Sequence, residues 1–339
     1  MLVLLMTSPA IMYQDPRTAG FIDFQPERPK SGLNGIHQRL LVNGVTLDVL
    51  VSGPVGARPL LLIQGLGMQR TDWPEGLVAA LVNSNFRVIQ YDPRDIGLSE
   101  NMDHLGRAQV YSAAFGRMMG IKSTALYSLP DLAEEAAALL VALQIPSAHV
   151  CGLSMGGMVA QHLAERHPDL VQSLTLMMTN SGSLWLPAAN ALLMQRLSVR
   201  PPSRRDFPAL VAHFVRMNRL IESPAWPEPE DVLTERVRFG LARSYRPHAT
   251  SRQMVAVLAD GDRTALLRRI RVPVQIIHGC ADLLVPVAAG HDLAKQIAGA
   301  VLDEIEGMGH DLPRALWPRF VDDICAVADR ATALECSLL

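Results

Sequence analysis

Residues 148–160, Ala-His-Val-Cys-Gly-Leu-Ser-Met-Gly-Gly-Met-Val-Ala, decide the fold: a short apolar run leads to a glycine-flanked serine and then to residues with helical character. Ser154 falls at the tip of a tight strand-to-helix turn, which strains the serine backbone. The residues two positions either side must be small, because a Cβ there would collide with the opposing backbone. Gly152 and Gly156 meet that need. The pattern predicts a nucleophile elbow, against the alternative of a glycine-rich turn with a surface serine.

The composition is that of a globular chain with a sizeable core. Its 339 residues are 49% hydrophobic, and 31 Lys and Arg against 33 Asp and Glu give a net charge of −2. No long block of one sign suggests a nucleic-acid groove or a polybasic membrane patch, so we expect a small-molecule partner. The four cysteines form no CxxC pair, which predicts reduced thiols, a reducing compartment and no metal site.

The ends and the hydropathy of the chain predict a cytoplasmic location. Residues 1–6 are apolar but have no basic flank, and the run is shorter than a usual signal sequence. No stretch approaches the roughly eighteen uninterrupted apolar residues that a spanning helix requires, so no stable membrane insertion is expected. Residues 1–35 carry Pro, Gly, Asp and Arg in irregular order, which predicts an N-terminal arm.

The alternation of elements after this arm predicts an α/β fold. Asn43-Gly44 separates two β-rich runs and favours a tight antiparallel hairpin. Continuously apolar strands, such as residues 60–63 and 87–91, then alternate with helices, which implies a parallel sheet covered on both faces. Ser128 to Asp131 form a capping box that begins a further helix.

The alternation stops between about residues 181 and 271. That segment has no strand signal, and at roughly ninety residues it far exceeds ordinary connections of about 2 to 6. We predict a helical cap domain at 181–271, inserted into a core domain formed by residues 36–180 and 272–339.

A serine nucleophile needs a histidine base, and the base needs a carboxylate that fixes its tautomer. Asp282 follows the predicted strand 274–277, and His310 follows the next strand, 301–305. Both should therefore lie in loops at the sheet edge where Ser154 lies. The order Ser154, Asp282, His310 is that of a Ser-acid-His triad.

An oxyanion hole requires amide groups aimed at the developing charge. Met155, directly after the serine, supplies one candidate, and the loop Gln64-Gly65-Leu66-Gly67 supplies another. We predict Leu66 as the second donor, with Gly65 or Gly67 as alternatives. The substrate pocket should lie between the sheet edge and the cap, lined by Gly65 and Gly67, with Trp73, Met155 and cap aromatics such as Trp185 as apolar walls.

Several of these residues have competing structural interpretations. Asp282 could cap a turn, and Asp311, beside the histidine, is a rival acid. His278 more often marks packing at a strand end than catalysis. Residues 92–99 are typical of a turn held by Asp and Arg hydrogen bonds, which is a scaffold role.

The elbow, the glycine loop, the 92–99 turn and the two end loops together resemble the α/β-hydrolase superfamily over about residues 38–330. The resemblance implies a mostly parallel, doubly wound sheet of about eight strands with an inserted helical cap. Gln64 to Gly67, Asp72-Trp73-Pro74 and Arg94-Asp95 look most like the group of bacterial carboxylesterases that contains aclacinomycin methylesterase. That similarity implies hydrolysis of a carboxylic ester, with methyl esters among the expected substrates, by water through an acyl-enzyme and without metal or cofactor. The chain departs from many relatives in having Gln64 where they have His and in a long excursion at 93–127.

Other functions remain open. Serine at position 154 argues against haloalkane dehalogenases and epoxide hydrolases, which would require Asp there. The stretch 152–157 also resembles that of 3-oxoadipate enol-lactonases and perhydrolases, and proline iminopeptidases are a third candidate. A non-enzymatic protein that only holds a ligand is a fourth. We expect a monomer or a homodimer.

Overall fold

The structure, a computed structural model, describes residues 35–121 and 123–338, without the side chains of 335–338. The predicted N-terminal arm therefore lies outside the described residues, apart from Gly35. The described chain forms one sheet of eight strands: β1 (Gly35–Val42), β2 (Val45–Ser52), β3 (Arg58–Ile63), β4 (Phe86–Tyr91), β5 (Ala148–Leu153), β6 (Val171–Met177), β7 (Val274–Gly279) and β8 (Val301–Ile305). Their spatial order is β1-β2-β4-β3-β5-β6-β7-β8.

The predicted hairpin and the predicted parallel sheet are both present. β1 pairs antiparallel with β2, with Val42 opposite Val45, and Asn43 and Gly44 adopt φ of 47° and 77° in the turn. β2 is antiparallel to β4, and every pair from β4 to β8 is parallel. All six residues of β5 and of β7 are buried, as expected for central strands of a sheet covered on both faces.

Helices cover both faces of this sheet. The helices in the described chain are α1 (Glu75–Asn83), α2 (Val110–Met118), α3 (Leu129–Ala142), α4 (Met155–Arg166), α5 (Ala191–Leu197), α6 (Phe207–Arg219), α7 (Glu230–Arg243), α8 (Pro247–Asp260), α9 (Thr264–Leu267), α10 (Ala288–Gln296) and α11 (Trp317–Leu338). α3, α4, α9 and α10 pack into one core cluster, while α1 and α11 pack into the other.

The chain between β6 and β7 contains the five helices α5 to α9. α6 and α7 share a small apolar cluster formed by Val211, Val215, Leu233 and Val237. The later part of this insertion also packs on the main core, since Ala256 of α8 and Leu267 of α9 belong to the core cluster beneath the sheet. We keep the name cap for residues 181–271.

α11 begins at Trp317 after a 3₁₀ turn at Arg314–Leu316 and continues to Leu338, because no Gly or Pro follows Pro318 within it. The long excursion contains α2, which packs against α8 of the cap, while the buried Gly116 of α2 lies against Ile121 and Ser123. The excursion therefore contacts the cap as well as the core.

Candidate active site

The turn at Ser154 has the strained geometry that its glycines predict. Ser154 adopts φ 53° and ψ −118° between β5 and α4. A Cβ on Gly152 would strike the backbone of Gly156, and one on Gly156 would strike the carbonyl oxygen of Ile63. Ser154 N–H donates to the carbonyl of Met177 (2.9 Å), which ties the strained turn to β6.

Ser154, His310 and Asp282 lie in one hydrogen-bonded chain. Ser154 Oγ is 3.1 Å from His310 Nε2, and His310 Nδ1 is 2.7 Å from Asp282 Oδ2. The other carboxylate oxygen of Asp282 accepts the amides of Leu284 (2.9 Å) and Val285 (2.8 Å). The Asp282 side chain is fully buried and that of His310 is 8% exposed, so the carboxylate is fixed and the ring is held at the edge of the site.

The two neighbouring candidates have other partners. Asp311 accepts hydrogen bonds from the amide and hydroxyl of Ser223, and burial raises the pKa of its carboxyl. His278 lies 3.9 Å from Asp282, but its Nε2 donates to the carbonyl of Val285 (2.8 Å). Burial lowers the pKa of His278 and keeps its ring neutral. Neither residue takes part in the chain of hydrogen bonds that begins at Ser154.

The loop that carries the candidate oxyanion donor Leu66 lies next to the serine. The loops after β3 and β5 are neighbours at the point where the strand order reverses, and Gly65 lies against Ser154, since an added Cβ would be 3.4 Å from Ser154 Cβ. The amide of Gly67 donates to Gln253 Oε1 (2.8 Å), which removes Gly67 as a donor to substrate. The amides of Leu66 and Met155 donate to no other group of the described chain.

The cap contacts the loop that carries His310. The amide of His310 donates to the carbonyl of Ile221 (2.7 Å), and that of Gly309 donates to Ser223 Oγ (2.9 Å). The Ser223 hydroxyl in turn donates to Asp311. The connection between α6 and α7 therefore fixes the backbone on both sides of the histidine.

The cap also holds the loop that carries Leu66. Arg243, the last residue of α7, bonds both Asp48 (3.0 Å) and Asp92 (2.7 Å), and Asp92 accepts the amide of Arg70 (2.7 Å). In the 92–99 turn Asp95 binds Arg252 of α8 through both carboxylate oxygens. The turn is held by Asp and Arg hydrogen bonds as expected, but these arginines come from the cap. Sequence reasoning missed Gln253, Ser223, Arg243 and Arg252, because no local motif marks a residue that acts across two segments.

The pocket walls differ from the prediction. Trp185 is 95% exposed and lines no enclosed space in this structure. Trp73 is 2% exposed and belongs to the core cluster of α1 and α11, with its indole N–H buried and unpartnered. Both tryptophans were predicted to line the pocket from their residue type alone, and residue type does not distinguish a pocket wall from a core or a surface position.

Two further observations bear on chemistry. Cys280 lies in the loop that carries Asp282. Burial and the nearby Glu306 raise the pKa of its thiol, so it is not a thiolate nucleophile. Within residues 35–121 and 123–334, no group of three or more His, Cys, Asp or Glu side chains is arranged to hold a metal ion. No helix in the same residues is long and apolar enough to cross a bilayer.

Comparison with known proteins shows that the chain is similar to hydrolases. The family model described as alpha/beta hydrolase fold matches residues 58–312. Rhodomycin D methylesterase DnrP of Streptomyces peucetius is 29% identical over 317 residues, covering 87% of this chain and 99% of the relative. 3-Oxoadipate enol-lactonase 2 of Acinetobacter baylyi is 26% identical, covering 79% and 87% of the two chains. Among solved structures, the enol-lactonase from Burkholderia xenovorans LB400 matches with a TM-score of 0.61 at 25% identity and covers 87% and 100%.

Proposed function

Because the chain belongs to the α/β-hydrolase fold family, we propose that it is a serine carboxylesterase that forms an acyl-enzyme on Ser154. The observation that carries the proposal is the hydrogen-bonded chain from Ser154 through His310 to Asp282. It brings a hydroxyl, a base and a buried carboxylate together at the ends of three parallel strands, next to unpaired backbone amides.

Each side chain has one task in the proposed reaction. Ser154 Oγ attacks the ester carbonyl while His310 Nε2 accepts its proton. Asp282 accepts the Nδ1–H of His310, holds the ring in the required tautomer and stabilises the imidazolium that forms. His310 then gives the proton to the departing alkoxide, which leaves as the alcohol. Water, deprotonated by the same histidine, then attacks the acyl carbonyl, the bond from Ser154 Oγ to the acyl group breaks, and His310 returns the proton to Ser154 Oγ as the carboxylic acid leaves.

The amides of Leu66 and Met155 are the proposed oxyanion hole. Met155 is the first residue of α4, so its N–H has no partner within the helix, and the helix N-terminus adds positive potential there. Removing one such donor typically costs about a hundredfold or more in rate. The hydrogen bond from Gly67 to Gln253 holds the loop, which keeps its backbone in place beside Ser154.

The substrate class rests on the relatives. A relative named a methylesterase aligns over nearly its whole length, which favours a carboxylic methyl ester. Relatives named enol-lactonases support lactone hydrolysis as the second candidate, since the same serine chemistry opens a ring ester. Proline iminopeptidase activity has no such support among these relatives.

The test is an activity panel of methyl esters, p-nitrophenyl acyl esters, lactones and prolyl amides, with the parent and with Ser154→Ala. We expect the highest kcat/KM on an open-chain ester and a fall of about a thousandfold or more in Ser154→Ala. Ser198→Ala, at an exposed serine, is the matched control. Highest activity on a lactone would replace the esterase proposal by the lactonase one, and a fall of less than about tenfold would contradict both.

A further inference from the structure

Two separate segments expose apolar side chains and contain no acidic residue. Residues 104–130 and 184–205 have no Asp or Glu, although they carry six arginines and one lysine. Of the nineteen large apolar side chains that are exposed in the described chain, ten lie in these two segments, about a sixth of its length: Tyr111, Phe115, Met118, Met119, Ile121, Leu126, Leu184, Trp185, Leu192 and Val199. We name these two segments the apolar-basic face.

The two segments adjoin each other in the fold. Arg117 of α2 donates through Nη2 to the carbonyl of Gly182 (2.5 Å), two residues before Leu184. The three acids that border the segments in sequence are already engaged. Asp103 pairs with Arg252 (2.7 Å), Asp131 forms the capping box with Ser128, and Asp206 caps α6 by accepting the amide of Ala209 (3.1 Å). The face contains no carboxylate of its own, and outside it Asp262 interacts with Arg117.

The exposed side chains of these two segments form an apolar surface. Tyr111, Phe115 and Met118 follow each other at helical spacings of four and three, so they form one stripe along α2, opposite the buried Ala113 and Gly116. Trp185 is 95% exposed, so almost its whole indole projects from the surface. Amphipathic aromatic residues beside arginines are the composition of segments that lie in the interface of a bilayer.

We propose that the apolar-basic face docks the protein on the surface of an anionic bilayer. Arg196, Arg200 and Arg204 are exposed on the second segment and would meet the headgroup phosphates, while Trp185 and the stripe of α2 enter the interfacial layer. The docked protein lies on the surface of the bilayer, and no part of the face crosses the membrane.

The face lies beside the candidate active site. The amide of Asn190 donates to the carbonyl of Leu283 (3.0 Å), the residue after Asp282. The docking itself does not depend on the proposed esterase function.

The test measures vesicle binding by the full chain carrying Ser154→Ala, so that no lipid is hydrolysed. We expect co-sedimentation with vesicles of equal parts phosphatidylcholine and phosphatidylglycerol, weaker binding to phosphatidylcholine alone, and release by salt. Arg196→Gln/Arg200→Gln/Arg204→Gln should lower the partition coefficient about tenfold or more, since each arginine near the surface contributes about fivefold. Phe115→Ser/Trp185→Ser, with one residue from each segment, should also lower it.

Matched controls come from exposed positions elsewhere: Arg166→Gln/Arg268→Gln/Arg314→Gln for charge and Leu41→Ser/Val55→Ser for apolar area. Both should bind as the parent does. A second readout is tryptophan fluorescence. Trp185 is the one exposed tryptophan of the four, so its emission should shift to the blue on the anionic vesicles and the shift should vanish in Phe115→Ser/Trp185→Ser.

Circular dichroism establishes that each variant is folded. Three results would overturn the proposal: no binding to the anionic vesicles, equal loss in the control variants, or parent-like binding by both face variants. A face that instead binds a second copy would show no vesicle binding and a change of oligomeric state in Phe115→Ser/Trp185→Ser, which also overturns it.

Discussion

Asp282 and Asp311 both lie close to His310, but they have different hydrogen-bond partners and therefore different roles. Asp282 accepts the Nδ1–H of His310 at 2.7 Å, whereas Asp311 faces Ser223. Asp282→Asn keeps the shape but offers the histidine a donor, which favours the wrong tautomer. We predict that kcat falls by about a thousandfold or more in Asp282→Asn, as in other triads.

Asp311→Asn is the control for this prediction, and it should cost less than about tenfold in kcat. Steady-state kinetics on the best ester of the panel would measure both variants. The assignment of Asp282 would be wrong if Asp311→Asn gave the larger loss.

At the scale of single residues, the sequence predicts those that follow strands. Ser154, Asp282 and His310 each lie in the turn or loop that follows a parallel strand, so their common edge could be inferred from the parallel sheet alone. Gln253 and Ser223 could not be inferred, because each lies on a cap segment far along the chain and reaches the site only once the cap is folded.

At the scale of elements, α8 and the loop after β3 are joined by the hydrogen bond from Gly67 to Gln253. Gln253 is fully buried, and Gln253→Leu leaves the Gly67 amide without its acceptor. A lost hydrogen bond of this kind is worth about 1 kcal/mol or somewhat more. We predict a fall of about tenfold in kcat with a smaller change in KM, because the loop carries a proposed oxyanion donor.

Gln195→Leu, at an exposed glutamine of α5, is the matched control and should behave as the parent. Thermal unfolding followed alongside the kinetics distinguishes loop displacement from general instability. A variant with reduced stability but unchanged kcat would contradict a positioning role for Gln253.

The strands were predicted more closely than the helix of the 93–127 excursion. Mostly apolar runs such as β5 and β7 have one physical explanation, burial on both faces. α2 lies in a stretch rich in Met and Gly, and its buried residues are the small Ala113 and Gly116, so its periodicity gives little signal.

At the scale of the whole molecule, buried neutral histidines make stability depend on pH. Burial lowers the pKa of His149 to about 4, next to Ser173 and the ring of Phe86. The unfolded chain binds this proton near pH 6.5 and the folded chain does not. The stabilisation is therefore complete above about pH 6.5 and decreases as the pH falls towards 4, by up to about 3 kcal/mol.

His149→Leu should flatten this part of the pH dependence, although it lowers stability at neutral pH by losing the Ser173 hydrogen bond. Urea unfolding between pH 7 and 4 measures the slope, and His104→Asn, at an exposed histidine, is the control. Part of the pH dependence of stability should remain in His149→Leu, because burial also lowers the pKa of His278. An unchanged slope in His149→Leu would refute this origin of the acid sensitivity.

The whole sheet was predictable, but the apolar-basic face was not. The absence of a long block of one sign in the sequence argued against a basic membrane patch, because the face is assembled from two segments that lie more than fifty residues apart. Net charge and local runs cannot reveal a surface that only the fold brings together.

Labelling with a fluorophosphonate probe, followed by peptide mapping, tests whether Ser154 is a nucleophile activated by His310. We expect one adduct, on the peptide that contains Ser154, with loss of ester hydrolysis in proportion to labelling. Labelling should be absent in Ser154→Ala and greatly slowed in His310→Ala. An adduct on another residue, or full labelling of Ser154→Ala, would contradict this role of Ser154.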